Sequence, residues 1–529
     1  MGGRDATWLA IGASIFASNI GSEHLIGLAG AGASSGMAMA HWEIQGWMIL
    51  ILGWVFVPFY TRSMVYTMPE FLERRYNPQS RTILSVISLV SYVLTKVAVT
   101  VYAGGLVFQQ VFGIKELWGI DFFWIAAIGL VVLTALYTIF GGMKSVLYTS
   151  VLQTPILLLG SLIILVLGFK ELGGWDEMMR VCGAVTVNDY GDTMTNLIRS
   201  NDDANFPWLG ALIGSAIIGF WYWCTDQFIV QRVLSGKNEM EARRGTIFGA
   251  YLKLLPVFLF LIPGMIAFAL HQKYIGAGGE GFLPMLANGT ANADAAFPTL
   301  VAKLLPAGVK GLVVCGILAA LMSSLASLFN SSAMLFTIDF YKRFKPETPE
   351  KKLVGIGQIA TIVIVVLGIL WIPIMRSVGD VLYTYLQDVQ SVLAPGIAAA
   401  FLLGICWKRT SAQGGMWGLI SGMVIGLTRL GAKVYYSNAG EVADSTFKYL
   451  FYDMNWLFFC GWMFLFCIIV VIVVSLATEA PTAEKIQGLV FGTATKEQKA
   501  ATRASWNHWD IIHTVIILAI TAAFYWYFW

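Results

Sequence analysis

The chain has 529 residues, of which 57% are hydrophobic and only 12% charged, with a formal charge of +3. An ordinary soluble domain carries roughly 25% charged residues, and an outer-membrane barrel shows only alternating segments of roughly 10 residues. The composition excludes both and leaves a helical integral membrane protein, with no basic patch outside short loops to suggest nucleic acid.

A membrane-spanning helix needs about 20 apolar residues. By that measure thirteen spans are predicted, at 7–30, 46–66, 83–112, 122–140, 147–169, 208–229, 247–270, 312–340, 353–374, 381–406, 414–430, 456–476 and 511–529. Residues 1–6 lead directly into the first span, without the basic region, short apolar core and cleavage site of a signal peptide. Short cytoplasmic loops carry an excess of Lys and Arg. With the N-terminus inside and the C-terminus outside, 21 of the 34 fall inside, 11 outside, and Lys96 and Lys253 within spans. The expected location is a cell membrane, plasma or inner, crossed many times. Five of the six cysteines lie in or beside apolar segments and Cys182 in a long loop, so no disulfide framework is expected. Asn288-Gly289-Thr290 has the form of a glycosylation acceptor on an outside loop, a triplet that also arises by chance.

The first span reads GASIFASNIGSEHLIGLAGAG over 12–32, placing Ser18, Asn19, Ser22, Glu23 and His24 at bilayer depth. Unpaired backbone at that depth survives only where it is buried in protein or lines a water-filled cavity. A helix broken there, with a counterpart later in the chain, points to a midplane site in a secondary transporter. A small-residue packing face is the plainer reading; a carboxylate, an imidazole and an amide so close together favour the site. The sixth span is the counterpart, expected to break at Gly214 and Gly219 ahead of Trp223, Cys224, Thr225, Asp226 and Gln227. The two lie five spans apart, and an odd offset inverts the second copy. The expected organisation is a first inverted repeat over 1–172, a second over 173–410, and three peripheral spans over 411–529.

Four further groups carry chemistry. Ser323, Ser324 and Ser327 in the eighth span put hydroxyls on one face. With the free carbonyls of a broken helix they make an oxygen site for a hard cation, or they bond back to their own helix. Glu43 and Lys253 are ionisable groups in spans, which mark a substrate path or pair with each other; Lys96 reads as snorkelling to an interface. His24 and Asn19 offer donors and acceptors in an apolar setting. Trp221, Tyr222, Trp223, Tyr383 and Gln387 combine flat apolar faces with polar handles suited to sugar rings. No HExxH, P-loop or CxxC is present, and neither catalysis nor a cofactor is implied.

ASIFASNIGSEHLIGLAGAGASSGMA, GWVFVPFY, TMPEFLERRY, WYWCTDQFIVQR, LKLLP, LMSSLASLFNSS and GIAAAFLLGICWKR together resemble the sodium/glucose (sodium/solute) symporters, on the glucose, galactose and myo-inositol branch. The likeness runs in order through the tenth span. It implies an all-α bundle of two inverted five-helix repeats, LeuT-like, working by alternating access. It places sodium on the backbone of Ala17, Ile20 and Ala320 with the hydroxyls of Ser323 and Ser324. Sugar contacts fall on His24, Glu43, Trp223, Lys253 and Gln387. The inner gate matches Tyr222 with Asn19, and the outer gate Leu28 with Tyr383.

Three departures accompany the likeness. Members carry one more membrane helix ahead of the broken one, which implies a shortened N-terminus here. Tyr148-Thr149-Ser150 stands where members commonly have an aspartate, and Ala326 where a second hydroxyl stands, implying one sodium per sugar. Trp42 and Gly219 occupy positions that vary among sugar-binding members. The expected partners are thus a monosaccharide, sodium as co-transported ion, and the bilayer, with no obligate protein partner. A myo-inositol or other polar-solute symporter, and a membrane sugar sensor or sodium leak that does not concentrate its ligand, are the competing expectations.

Overall fold

The computed structural model describes residues 4–21, 23–65, 67–286, 289–378, 381–439 and 443–529, with 137, 139–154 and 376–378 described by backbone alone. Asn288 and the side chains of Tyr148, Thr149 and Ser150 therefore lie outside the described residues. Ten described helical runs are long and apolar enough to cross a membrane, and Trp8–Asn19 and Phe122–Leu136 are shorter apolar helices. The only described strands are Glu116–Leu117 and Ile120–Asp121, a two-residue hairpin in an outer loop.

Both broken helices occur. The first runs Trp8–Asn19, stops at an extended Ile20 (φ −78°, ψ 98°), and resumes through a widened turn Glu23–Leu28 into Ala29–Ser35. The second runs Trp208–Gly219 through a widened turn Phe220–Thr225 and breaks at an extended Asp226 (φ −72°, ψ 127°) before Gln227–Leu234. The second break sits several residues beyond the position expected from the glycines. Gly214 and Gly219 are helical, and their missing side chains serve close packing. A Cβ on Gly214 would come 2.9 Å from Leu457 Cδ2, and one on Gly219 2.3 Å from Gln45 Oε1. Asp226 makes the stop itself, its carboxylate accepting from the Phe228 backbone N–H at 3.1 Å.

Small residues let helices approach closely where lipid gives no hydrophobic drive. The outer half of the first broken helix crosses Ile262–Gly276 so tightly that a Cβ on Gly264 would lie 1.9 Å from the Ala29 carbonyl oxygen. The core of the bundle is formed by the broken helices with Glu239–Leu252, Ala307–Met334 and Leu382–Cys406. Around it, Phe122–Leu172, Glu350–Val378, Trp456–Ala477 and His508–Tyr527 expose apolar side chains such as Leu159, Ile359, Trp462 and Val515.

One helix of 51 residues, Phe122–Leu172, replaces the two spans expected at 122–140 and 147–169. At 1.5 Å per residue it is about 76 Å long, well beyond one hydrocarbon core of about 30 Å. The sequence between the two apolar runs, Gly-Gly-Met-Lys-Ser, contains no proline to end a helix. The last helices also touch the interior. Trp456 stacks on Trp42 (5.5 Å, 22°), and Tyr525 Oη lies 2.8 Å from His41 Nδ1.

Candidate functional site

At the first break, the extended Ile20 removes the next helical turn, so the carbonyls of the last turn, from Ala17 to Ile20, lose their usual i+4 partners. Gly21 occupies the gap. The point where a Cβ on Gly21 would sit is 2.7 Å from Ser324 Oγ, so the break and the serine helix Ala307–Met334 touch here. Ala320, Ser323, Ser324 and Ser327 are buried on that helix, and Ser324 Oγ has no hydrogen-bond partner among the described residues. The Ser327 carbonyl accepts from Ser331 Oγ at 3.0 Å. Ala326 is fully buried and brings no oxygen from its side chain.

Below and beside this break, one connected set of polar side chains joins the two broken helices. Asn19 Nδ2 donates to Tyr222 Oη at 3.2 Å, and Asn19 Oδ1 accepts from Lys253 Nζ at 3.2 Å. Lys253 Nζ also donates to Glu43 Oε2 at 2.6 Å. Tyr383 Oη donates to the other oxygen, Glu43 Oε1, at 2.6 Å. His24 Nε2 approaches Glu43 Oε2 to 3.3 Å. Glu43 is 0% exposed and Lys253 3%. A charge pair so buried persists only when each member has a close partner, and Glu43 and Lys253 have each other, with Tyr383 and Asn19 completing the set.

The remaining expected residues line the same cavity. Trp223 faces Lys253, whose Nζ is 5.3 Å from a Trp223 ring centroid, and packs edge-on to Tyr222. Among the described residues, Gln387 Oε1, Trp42 Nε1 and both ring nitrogens of His24 are buried without a hydrogen-bond partner, which leaves the cavity polar atoms to offer a ligand. Tyr383 packs on the outer half of the first broken helix, its Cβ 3.0 Å from where a Cβ on Gly27 would sit, next to the fully buried Leu28. Tyr222 and Tyr383 both line the cavity, each held by a hydrogen bond to Asn19 or Glu43.

Lys96 departs from its expected role. It does not reach an interface: it is 8% exposed, pairs with Asp226 Oδ2 at 3.2 Å, and lies 3.6 Å from the Phe228 ring centroid. The reason is that the second break delivers a carboxylate to its depth, and Tyr92 Oη donates to the same group at 2.9 Å. Sequence reasoning also passed over Gln45 and Asp294. Gln45 lines the cavity and donates to the Ser215 carbonyl at 2.8 Å. Asp294, in the short turn Ala293–Ala295, accepts from the Leu382 backbone N–H at 3.2 Å, next to Tyr383. Asp226 stood in the polar run already noted. Gln45 and Asp294 have no local signal, since their partners lie 170 and 88 residues away.

The chain matches the Sodium:solute symporter family over residues 1–422. It is 36% identical over 506 residues to the human sodium/myo-inositol cotransporter 2, covering 93% of this chain and 74% of that protein. It is 38% identical over 497 residues to the sodium/glucose cotransporter 1 of Ovis aries, covering 90% of this chain and 74% of that protein. Among solved structures it resembles a sodium-coupled sialic acid symporter in a substrate-bound outward-open state. The TM-score is 0.67 at 22% identity, covering 91% of this chain and 92% of that one, a likeness of fold. A match of this extent, on a helical bundle broken at Ile20 and at Asp226, makes the chain a member of the sodium:solute symporter family, a sodium-coupled membrane transporter.

Proposed function

We propose that the protein imports a monosaccharide of the glucose or galactose type together with one sodium ion, by alternating access. The observation that carries this reading is the continuous polar chain Tyr222–Asn19–Lys253–Glu43–Tyr383, made of side chains suited to hydroxyl groups, in which Tyr222 would serve as the inner gate and Tyr383 as the outer. In the cavity these groups satisfy one another. A sugar entering between Leu28 and Tyr383 must replace those bonds with its own hydroxyls. A solute lacking them would leave buried charges unpaired, which is a strong basis for selection. His24, Glu43, Lys253 and Gln387 take the hydroxyl rim, and Trp223 faces the ring.

Sodium lies at the first break, held by main-chain oxygens of Ala17, Ile20 and Ala320 and the hydroxyls of Ser323 and Ser324. Bound there it ties the broken helix to the serine helix, favouring the outward-open shape; a ligand shifts such an equilibrium only by its differential affinity for the two states. One cation crossing 100 mV releases about 2.3 kcal/mol, enough for roughly a 50-fold solute gradient. Residues 1–172 and 173–410 form the two inverted repeats, and the N-terminus faces the cytoplasm. A cyclitol substrate is the second reading, supported by the 36% identity to a relative named for myo-inositol.

Competition separates the two. In proteoliposomes, labelled D-glucose uptake is expected to require sodium and to stop when choline replaces it. Unlabelled galactose should compete at concentrations where myo-inositol does not. Strong competition by myo-inositol alone would move the assignment to the cyclitol. Binding without concentrative uptake would make the protein a sensor.

A further inference from the structure

Glu23 heads the widened turn that follows the first break. It lines the same cavity as His24, Lys96, Tyr222 and Lys253. One carboxylate oxygen, Glu23 Oε2, lies 2.7 Å from the point where a Cβ on Gly21 would sit, and Ser324 Oγ lies 2.7 Å from that same point. Two oxygens from different helices therefore converge over a glycine whose missing side chain leaves the gap between them. The Ser324 hydroxyl is 9% exposed and has no hydrogen-bond partner among the described residues. Carboxylate, hydroxyl and main-chain carbonyl oxygens are the donors that hard cations take, and affinity rises with the charge of the ligand set.

We propose that Glu23 is a sodium ligand, the charged oxygen of the cation site at the first break, and that it couples cation to substrate because the same side chain borders the substrate cavity. This rests on the sodium position argued above. Sodium held by Glu23 draws that carboxylate away from the lysines it also faces. The Lys253 ammonium is then less restrained when substrate hydroxyls arrive. Coupling of this kind is reciprocal: substrate must tighten sodium binding by the same factor by which sodium tightens substrate binding.

The test uses the full chain, purified, with sodium alone as the probe and choline holding ionic strength constant. Sodium-dependent thermal stabilisation is titrated for the wild type, Glu23→Gln and Ser324→Ala, followed by sodium activation of D-glucose uptake in proteoliposomes. Glu23→Gln is expected to raise the half-saturating sodium concentration about tenfold in both measurements, and Ser324→Ala to raise it as well. Glu23→Asp keeps the charge at shorter reach and should fall between wild type and Glu23→Gln, which keeps the test available if the glutamine variant folds poorly. An unshifted Glu23→Gln beside a shifted Ser324→Ala overturns the role of Glu23 and leaves the cation site standing. A shift in uptake but not in the sodium titration confines Glu23 to the substrate cavity and also overturns it. No shift in either variant removes the cation site itself.

Discussion

Lys253→Met is expected to abolish concentrative uptake, a fall of at least 100-fold, and to lower the melting temperature of the purified protein. Lys253 Nζ donates to both Glu43 and Asn19 from a position 3% exposed. Methionine keeps much of the volume but strands the fully buried Glu43 carboxylate. Breaking a buried pair in this way costs about 3–5 kcal/mol, whereas replacing both members with neutral groups is often close to neutral. The double variant Glu43→Gln, Lys253→Met should therefore recover most of the lost stability and none of the uptake. Differential melting with paired uptake assays checks both statements. A single variant that melts as the wild type does would show that the pair is not buried as described.

Asp226→Ala should have the larger effect on folding. That one carboxylate accepts from Tyr92 Oη at 2.9 Å, Lys96 Nζ at 3.2 Å and the Phe228 backbone N–H at 3.1 Å. Without it the Lys96 ammonium is left among the rings of Phe228, Tyr222 and Tyr92, and the helix after the second break loses its cap. The buried charge costs about 3–5 kcal/mol and the cap about 1 kcal/mol, enough to deplete monodisperse protein on size exclusion. Removing the stranded charge as well, in Asp226→Ala, Lys96→Met, should restore most of the folded yield. Equal yields for the single and double variants would contradict this account of the pair.

These two ion pairs also mark how far the sequence was legible. The first break could be read directly, because Ser, Asn, Gly and Glu at bilayer depth conflict with a lipid-facing helix, and the structure breaks at Ile20 within that stretch. Glu43 and Lys253 could be suspected of pairing from their cost alone, and the structure joins them at 2.6 Å. The second break was misplaced because glycine can serve either a break or a close crossing. Only the positions of Leu457 and Gln45, both remote in sequence, show that Gly214 and Gly219 serve crossings. Lys96 was read as snorkelling for the same reason, since its partner lies 130 residues away. The merging of two expected spans into Phe122–Leu172 has a different origin: apolar content locates membrane segments, but a helix ends only where capping or proline ends it.

The central claim is that a sodium ion joins the unwound stretch after Asn19 to the serine helix. The most direct measurement is a density map of the purified protein in sodium, with a matched map in choline. A peak within oxygen-ligand distance of Ser324 Oγ and the carbonyls of Ala17 and Ile20, present in sodium and lost in choline, is the predicted result. A sodium-dependent peak elsewhere in the bundle, or a continuous helix through Ile20 and Gly21 lying away from Ser324, would contradict the account.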